Sequence, residues 1–203
     1  MQLKYAREIA EQLVFVLSPA CERLEICGSV RRANKEDVKD IELVALPKAL
    51  PLETAQVVFG QKPGKYRNLL EMYLAELIRA KVVKDHYPNI REKNELEMVM
   101  ERGEKDGEKF KTFVVKTIYG EIKLDLFIAT PPAQFGVIQI IRTGSAEFSR
   151  RLVTHKPYGL CPTHLKFKDG ALWIDDVDII ETPDERDVFS ELGWPFIAPS
   201  ERR

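Results

Sequence analysis

The chain contains the stretch Leu24-Glu25-Ile26-Cys27-Gly28-Ser29-Val30-Arg31-Arg32 and, after a polar segment, the stretch Asp40-Ile41-Glu42-Leu43-Val44-Ala45-Leu46. The second stretch predicts a β-strand, in which residues two apart point to the same face. Asp40 and Glu42 therefore project together, and the other face carries the apolar side chains of Ile41, Leu43 and Ala45. Two adjacent carboxylates repel each other unless a cation lies between them, and a hard ion such as Mg²⁺ is the natural partner.

The overall composition is that of an ordinary globular protein of one or two domains. The 203 residues are 44% hydrophobic and 31% charged, which is sufficient for a sizeable core. No apolar run approaches the ~20 residues that a membrane-spanning helix needs, so no membrane partner is expected. Charged residues interrupt the first apolar segment, residues 1–17, which predicts an amphipathic helix rather than a signal peptide.

The cysteines Cys21, Cys27 and Cys161 are odd in number and lack the spacing of a metal site. They are predicted to be small buried side chains that stay reduced. This usage favours a reducing intracellular compartment, and we expect a cytoplasmic protein.

Charge is unevenly distributed along the chain. The net charge is −1, so the protein as a whole has no basic character. Between residues 142 and 168, however, Glu147 is the only acidic residue beside six lysines and arginines, which predicts a phosphate-binding surface or, equally, a solvated loop face. Within it Tyr158 is either a stacking platform for a base or, as its residue type favours, a packed side chain. The candidate DNA-binding residues are Arg150, Arg151, Lys156, Lys166 and Lys168.

Hydrophobic periodicity predicts the order of the elements. Helices are expected over residues 3–17 and between 66 and 83, and strands over 24–27, 41–46, 96–101, 110–118 and 121–128. Loops are expected at 51–53, 61–64 and 102–107, and a domain boundary at Thr130-Pro131-Pro132. The tail predicts a helix with Thr182 as N-cap, Pro183 at its first position, Glu185 in a capping box and Gly193 at its end.

A third carboxylate, Asp125, lies in the apolar half of the strand 121–128. Because a half-buried carboxylate without a partner is costly, we expect Lys123 or a metal ion beside it. Three carboxylates on one face can hold two divalent ions ~4 Å apart, which aligns the attacking and leaving oxygens in phosphoryl transfer. The turn at Gly28-Ser29 offers N–H groups to an anion, and Arg31 and Arg32 offer charges suited to a triphosphate.

Each of these features alone has an ordinary explanation. A Gly-Ser turn is usually only a turn, a D-x-E pair is usually a solvated strand face, and a lone aspartate or arginine usually makes a local contact. The order and spacing of the features together are what favour a nucleotidyltransferase.

The same features resemble the family X DNA polymerases, the family that includes DNA polymerase beta. The segment Gly28-Ser29-Val30-Arg31-Arg32…Asp40-Ile41-Glu42 is similar to their nucleotidyltransferase motif. The segment 142–151, which contains Thr143-Gly144-Ser145, is similar to the point where their palm passes into the nucleotide-selecting subdomain. The tail from Thr182 to Arg203 is similar to their C-terminal ending.

The resemblance implies a role for each candidate residue. Asp40 and Glu42 would bridge two Mg²⁺ ions, for which Mn²⁺ could substitute, and Asp125 would complete the catalytic metal site and take the proton of the primer 3′-hydroxyl. Lys123 would orient Asp125. The nucleotide-binding residues would be Gly28, Ser29, Arg32, Arg142, Thr143, Gly144, Ser145 and Ser149, with Ser29 and Arg32 on the triphosphate and Ser149 near the minor groove of the nascent pair.

The resemblance also implies the fold and the partners. It predicts an α/β protein of the α+β type, with a palm over residues 1–131 whose mostly antiparallel sheet is flanked by helices. A small α+β nucleotide-selecting subdomain would follow over residues 132–203. The expected partners are nucleoside triphosphates and primer–template or gapped DNA, a monomer is favoured, and compact polymerases of this kind suggest a virus or a prokaryote as the source. The chain before the first strand is too short for the family's lyase domain, so no lyase activity is expected.

The sequence differs from the family pattern at three sites. Glu42 stands where the family has an aspartate, so its longer side chain changes the reach to the metal ions. Ile141-Arg142 replaces an aromatic pair that crowds the sugar 2′ position, so no preference for deoxynucleotides follows from the resemblance. Ser149 replaces an asparagine.

Two alternative functions share the same motifs. One is a nucleotidyltransferase that modifies a small molecule, a protein or an RNA end; the basic segment 142–168 and the C-terminal resemblance favour a polynucleotide over these. The other is a non-catalytic protein that binds DNA or nucleotides, for which Glu42 and the missing aromatic pair are the arguments.

Overall fold

A computed structural model of the protein describes residues 1–50, 68–80 and 98–203. The helices are α1 (Leu3–Leu17), α2 (Gly28–Arg32), α3 (Leu69–Ala80), α4 (Phe135–Thr143), α5 (Ala146–Val153) and α6 (Glu185–Glu191), with short 3-10 turns at Ser18–Ala20 and Pro199–Glu201. The strands are β1 (Cys21–Cys27), β2 (Asp40–Pro47), β3 (Val99–Asp106), β4 (Phe110–Thr117), β5 (Gly120–Ile128), β6 (Leu165–Lys168), β7 (Ala171–Ile174) and β8 (Asp178–Ile180).

The architecture is an α+β fold with two sheets. The larger sheet has the strand order β1-β2-β5-β4-β3, and the smaller has the order β6-β7-β8. In the larger sheet β2 and β5 run parallel, and the other described neighbours run antiparallel. The predicted fold class, with a mostly antiparallel sheet flanked by helices, is therefore confirmed.

One face of the larger sheet forms the main core. Ile41, Leu43 and Ala45 of β2 are fully buried there, as their alternation predicts. Helices α1 and α3 cover this face with the apolar stripes that their 3.6-residue periodicity produces. The side chains of Asp40 and Glu42 are consequently left on the opposite face.

That opposite face is covered only in part. A small apolar cluster joins Val44 of β2 and Phe127 of β5 to Phe135 at the start of α4. A separate apolar cluster lies beyond it, where α4, α5, α6 and the smaller sheet pack together. The division of the chain at residues 131 and 132 stays a prediction.

The structure corrects two local predictions. Residues 102–106 belong to β3 rather than to a loop, so the β3–β4 connection is shorter than predicted. The N-cap of α6 is Asp184 rather than Thr182, and Asp187 completes its capping box. Glu185 is instead free to form the buried ion pairs described below. Gly193 follows the helix end in a left-handed conformation, as expected there.

The remaining predictions concern the cysteines, membrane-spanning helices and segments outside the described residues. All three cysteines are buried, and burial raises the pKa of the Cys21 and Cys27 thiols to about 12. Among the residues that the structure describes, no helix is long and apolar enough to cross a membrane. The predicted loops at 51–53 and 61–64, and the outer parts of the predicted elements 66–83 and 96–101, lie outside the described residues.

Candidate active site

Strand pairing brings together carboxylates that are distant in sequence. The parallel register of β2 and β5 sets Glu42 opposite Asp125 and Asp40 opposite Lys123. Because side chains alternate along a strand, Asp40, Glu42 and Asp125 share one face of the sheet. The structure therefore places all three predicted catalytic carboxylates at one edge of the face that α4 leaves open.

Asp125 is buried and has an ammonium group as its partner. The Nζ atom of Lys123 donates a hydrogen bond to Oδ2 of Asp125 at 3.0 Å and lies 2.9 Å from Oδ1. Oδ1 is itself buried, and the ammonium group of Lys123 is its partner in the described part of the chain. Lys123 thus holds the carboxylate in place through both of its oxygens.

Glu42 packs against the Gly28 turn. A side chain at Gly28 would overlap the Oε2 atom of Glu42, and Gly28 has a φ of +61°, which a glycine adopts without strain. Burial and, after it, the neighbouring charge of Asp40 raise the pKa of Glu42 to about 7. Arg142 acts in the opposite direction, but its charge does not compensate for the other two effects.

The two predicted nucleotide-binding segments contact each other through arginines of α2. Nη1 of Arg32 donates hydrogen bonds to the carbonyl oxygens of Thr143 and Gly144 at 2.9 and 2.8 Å. Arg31 reaches the hydroxyl of Thr143 at 2.9 Å. The turn at Gly28-Ser29 is therefore fixed against the end of α4, which sequence analysis had associated with it only by resemblance.

The serines after Thr143 have structural partners of their own. Ser145 is the N-cap of α5 and accepts a hydrogen bond from the amide of Phe148 at 3.0 Å. Ser149 donates from Oγ to the carbonyl of Ile141 at 2.7 Å. These bonds fix the α4–α5 junction, and they engage the hydroxyl group of Ser149 within the chain.

A cleft of about 460 Å³ opens beside the carboxylates. Glu42, Asp125 and Arg142 line one side of it, and Phe127 and Asp169 are among the other lining residues. The guanidinium of Arg142 lies 3.8 Å from the centre of the Phe127 ring, an attractive cation–π geometry. Sequence analysis missed Phe127 and Asp169, because nothing in the local pattern of β5 or of the β6–β7 turn marks them as neighbours of this site.

The candidate DNA-binding residues all lie on exposed surface. Arg150 and Arg151 occupy the last turn of α5. Lys166 is paired with Asp176 at 2.9 Å, and Lys168 lies 5.1 Å from the Trp173 ring. Tyr158, between these groups, is 88% exposed, so the interpretation of it as a packed side chain is wrong.

Sequence analysis also missed a buried ionic network behind the site. The carboxylate of Glu185 accepts two hydrogen bonds from Arg31, at 2.7 and 2.8 Å, and one from Arg202 at 2.8 Å. Arg202 also donates to the carbonyl of Ile197. The network ties α2, which carries Ser29, to α6 and to the C-terminal segment.

The donor set fits a hard divalent cation in its chemistry. Carboxylate oxygens are the ligands that Mg²⁺ prefers, Glu42 and Asp125 line the same cleft, and the charge of Asp40 adds to burial in raising the pKa of Glu42. Within residues 1–50, 68–80 and 98–203, no three Asp, Glu, His or Cys side chains already enclose a point where one ion could bind.

Comparison with known proteins adds no assignment. No protein-family model matches the chain, and no curated protein matches its sequence.

Proposed function

We propose that this protein is a Mg²⁺-dependent nucleotidyltransferase that extends the 3′-hydroxyl of a DNA primer, in the manner of a family X DNA polymerase. The observation that carries the proposal is the parallel pairing of β2 with β5. It puts Glu42 opposite Asp125, with Asp40 on the same face, at a cleft bordered by an arginine. Carboxylates at a cleft that also presents cations suit a reaction between an alcohol and a polyphosphate.

Asp125 is the residue proposed to act on the primer. Lys123 fixes its carboxylate through both oxygens, which lie 3.0 and 2.9 Å from the ammonium nitrogen, and Asp125 lines the cleft beside Glu42. The carboxylate of Asp125 would accept the proton of the 3′-hydroxyl as the 3′-oxygen bonds to the α-phosphorus. The bond between the α-phosphorus and the bridging oxygen breaks, and pyrophosphate leaves.

Residues of α2 and the α4–α5 junction are proposed to hold the nucleotide. The amides and hydroxyl of the Gly28-Ser29 turn suit phosphate oxygens, and Arg32 and Arg142 supply positive charge. Because Arg32 is bonded to Thr143 and Gly144, phosphate and sugar contacts would be formed by one preorganised unit. Mg²⁺ held by Asp40, Glu42 and Asp125 would neutralise the charge that develops on the phosphates.

Primer extension with Asp125→Asn tests the proposal. The wild-type protein should extend a labelled primer on a gapped template in the presence of Mg²⁺ and dNTPs, and the variant should be slower by at least about a hundredfold. Glu121→Gln, on the exposed part of the same strand, is the matched control and should keep full activity. Extension by Asp125→Asn at the wild-type rate would contradict the assignment.

Binding experiments separate the alternative functions. A polymerase should bind gapped duplex with an affinity that falls steeply as salt rises. Activity on a small molecule without such binding would instead identify the other class of nucleotidyltransferase. Nucleotide binding without release of pyrophosphate would identify a non-catalytic protein.

A further inference from the structure

A second surface with binding chemistry lies at the far end of α5. There the turn His155–Gly159 carries Tyr158, whose side chain is 88% exposed. The turn is nevertheless well held, because the amides of Tyr158 and Gly159 donate to the carbonyl of His155 at 3.2 and 3.0 Å. The tyrosine ring is thus presented to solvent by a segment that backbone hydrogen bonds hold in place.

The turn is docked onto two neighbouring elements. The amide of Leu160 donates to the carbonyl of Arg151, in the last turn of α5, at 2.8 Å. The indole Nε1 of Trp194 donates to the carbonyl of Leu160 at 3.2 Å, and Lys156 lies 5.8 Å from the Trp194 ring. Trp194 is itself partly exposed, and its contacts with Leu160 and Lys156 place it against the turn that carries Tyr158.

The charges at this end of α5 are positive. Arg150 and Arg151 form the basic last turn of the helix, whereas Glu147 lies in its first turn. Exposed Lys156 adds a further cation, 5.8 Å from the Trp194 ring. Aromatic faces between cations match a chain of bases and phosphates, since rings stack on bases and the cations neutralise the backbone.

The form of nucleic acid follows from the exposure of Tyr158. Inside a duplex both faces of a base are covered by its neighbours, so a protein ring can stack only on unpaired bases. Helix α5 is about 12 Å long at 1.5 Å per residue. The end of α5 therefore lies about that far from the junction Thr143–Ser145, and Tyr158 is in the turn that follows; an unpaired strand spans about 12 Å within a few nucleotides.

We propose that the surface formed by Tyr158, Trp194, Lys156 and Arg151 binds single-stranded DNA by stacking, as a site separate from the carboxylates. The choice of DNA as the ligand rests on the proposed function. In that setting the surface holds the unpaired template strand next to the position where nucleotides are added.

Fluorescence anisotropy with labelled (dT)12 and with a blunt 12-base-pair duplex tests this site. Tyr158→Ala should weaken binding of (dT)12 by about tenfold or more, and Tyr158→Phe should stay within about twofold of wild type because its ring still stacks. Lys156→Ala should reduce the dependence of log K on log salt by about 0.7, as one phosphate contact is lost.

Phe15→Ala is the matched control, because Phe15 is also an exposed aromatic residue, 58% accessible on α1, and should not affect (dT)12 binding. Equal affinities for Tyr158→Ala and wild type would overturn the proposal. An equal loss on (dT)12 and on the duplex would also overturn it, since stacking requires unpaired bases. Tighter binding of (rU)12 than of (dT)12 would overturn the choice of DNA.

The binding measurement is independent of catalysis. It is made without Mg²⁺ and repeated with Asp125→Asn, which should bind (dT)12 like the wild type. A protein that binds (dT)12 through Tyr158 but transfers no nucleotide would refute the proposed function and leave this site standing. If the wild-type protein extends primers and Tyr158→Ala binds (dT)12 normally, the proposed function stands and the Tyr158 site is refuted.

Discussion

Arg202 and Glu185 form an ion pair of 2.8 Å in which both side chains are almost wholly withdrawn from solvent, at 0% and 3% exposure. Arg31 completes the arrangement with a hydrogen bond to each oxygen of the same carboxylate. A buried charge is tolerated only while its partner is present. The C-terminal segment is therefore connected to α2, which lies beside the candidate active site.

Glu185→Gln should be strongly destabilising. The substitution leaves the guanidinium of Arg202 buried without a counter-charge, and loss of one partner of such a pair costs about 3–5 kcal/mol. Urea denaturation followed by circular dichroism measures the free energy of unfolding. Asp176→Asn, which breaks the half-exposed pair with Lys166, is the control and should cost less than about 1 kcal/mol. Similar losses in both variants would show that the Glu185 network is not a stabilising element.

Strand β2 and the start of helix α6 show which features of the fold can be predicted from sequence and which cannot. The alternation of Ile41, Leu43 and Ala45 was sufficient to predict a strand with one buried face, because that pattern is local. The identity of the α6 N-cap was predicted wrongly, because Thr182 and Asp184 both suit a cap and tertiary contacts decide between them. Burial of Thr182, and pairing of Glu185 with arginines from distant segments, select Asp184.

The candidate site shows the same limit. Asp125 and its partner Lys123 were predicted from one strand, but the register that sets Asp125 opposite Glu42 depends on pairing between strands that are far apart in sequence. Tyr158 was assigned to packing from its residue type, whereas its exposure depends on how the turn docks on α5.

Glu42→Gln should make the protein more stable at alkaline pH. Burial, followed by the charge of Asp40, raises the pKa of Glu42 from 4.5 to about 7 in the folded state. Between those values the folded state binds more protons than the unfolded state, so wild-type stability falls as pH rises from about 4.5 to about 7 and stays lower above it. The Glu42→Gln variant lacks this loss. Its free energy of unfolding should therefore exceed that of the wild type by about 1–2 kcal/mol at pH 8, a figure reduced to allow for the partial exposure of the side chain.

Thermal unfolding of both proteins from pH 4 to pH 8.5, without divalent ions, measures this difference. The stability curves should converge near pH 4, where Glu42 is protonated. Glu121→Gln, at an exposed position, should follow the wild type throughout. A constant difference at all pH values would show that the substitution acts through packing rather than through ionisation.

Gly28→Ala should be destabilising because of its contact with Glu42 as well as its backbone conformation. The new methyl group would overlap Oε2 of Glu42. Gly193→Ala is a matched control, since Gly193 has a similar φ of +71° but no atoms within 4 Å of the added group. We expect a cost of about 1 kcal/mol at Gly193 and about 2–3 kcal/mol at Gly28.

A double-mutant cycle isolates the contact. If the excess cost at Gly28 comes from overlap with Glu42, the double variant Gly28→Ala/Glu42→Ala should recover at least about 1 kcal/mol relative to additivity. Additive effects would mean that the two residues do not interact, and that Gly28 is needed only for its backbone.

Arg142→Gln should tighten the binding of Mg²⁺. Arg142 lines the cleft beside Glu42 and Asp125 and lowers the pKa of Glu42, although burial and Asp40 act more strongly on that group. Its charge therefore opposes the entry of a cation, and its removal should lower the Mg²⁺ midpoint about threefold at pH 8.5, above the pKa of about 7 of Glu42. The same change should weaken nucleotide binding, because a cation suited to the triphosphate is lost.

Thermal shift against Mg²⁺ concentration gives the midpoint, and Arg150→Gln, on the exposed end of α5, serves as the charge-matched control. An equal midpoint in both variants would show that Arg142 does not act on the carboxylates, and its place over the Phe127 ring would then be its whole contribution to the cleft.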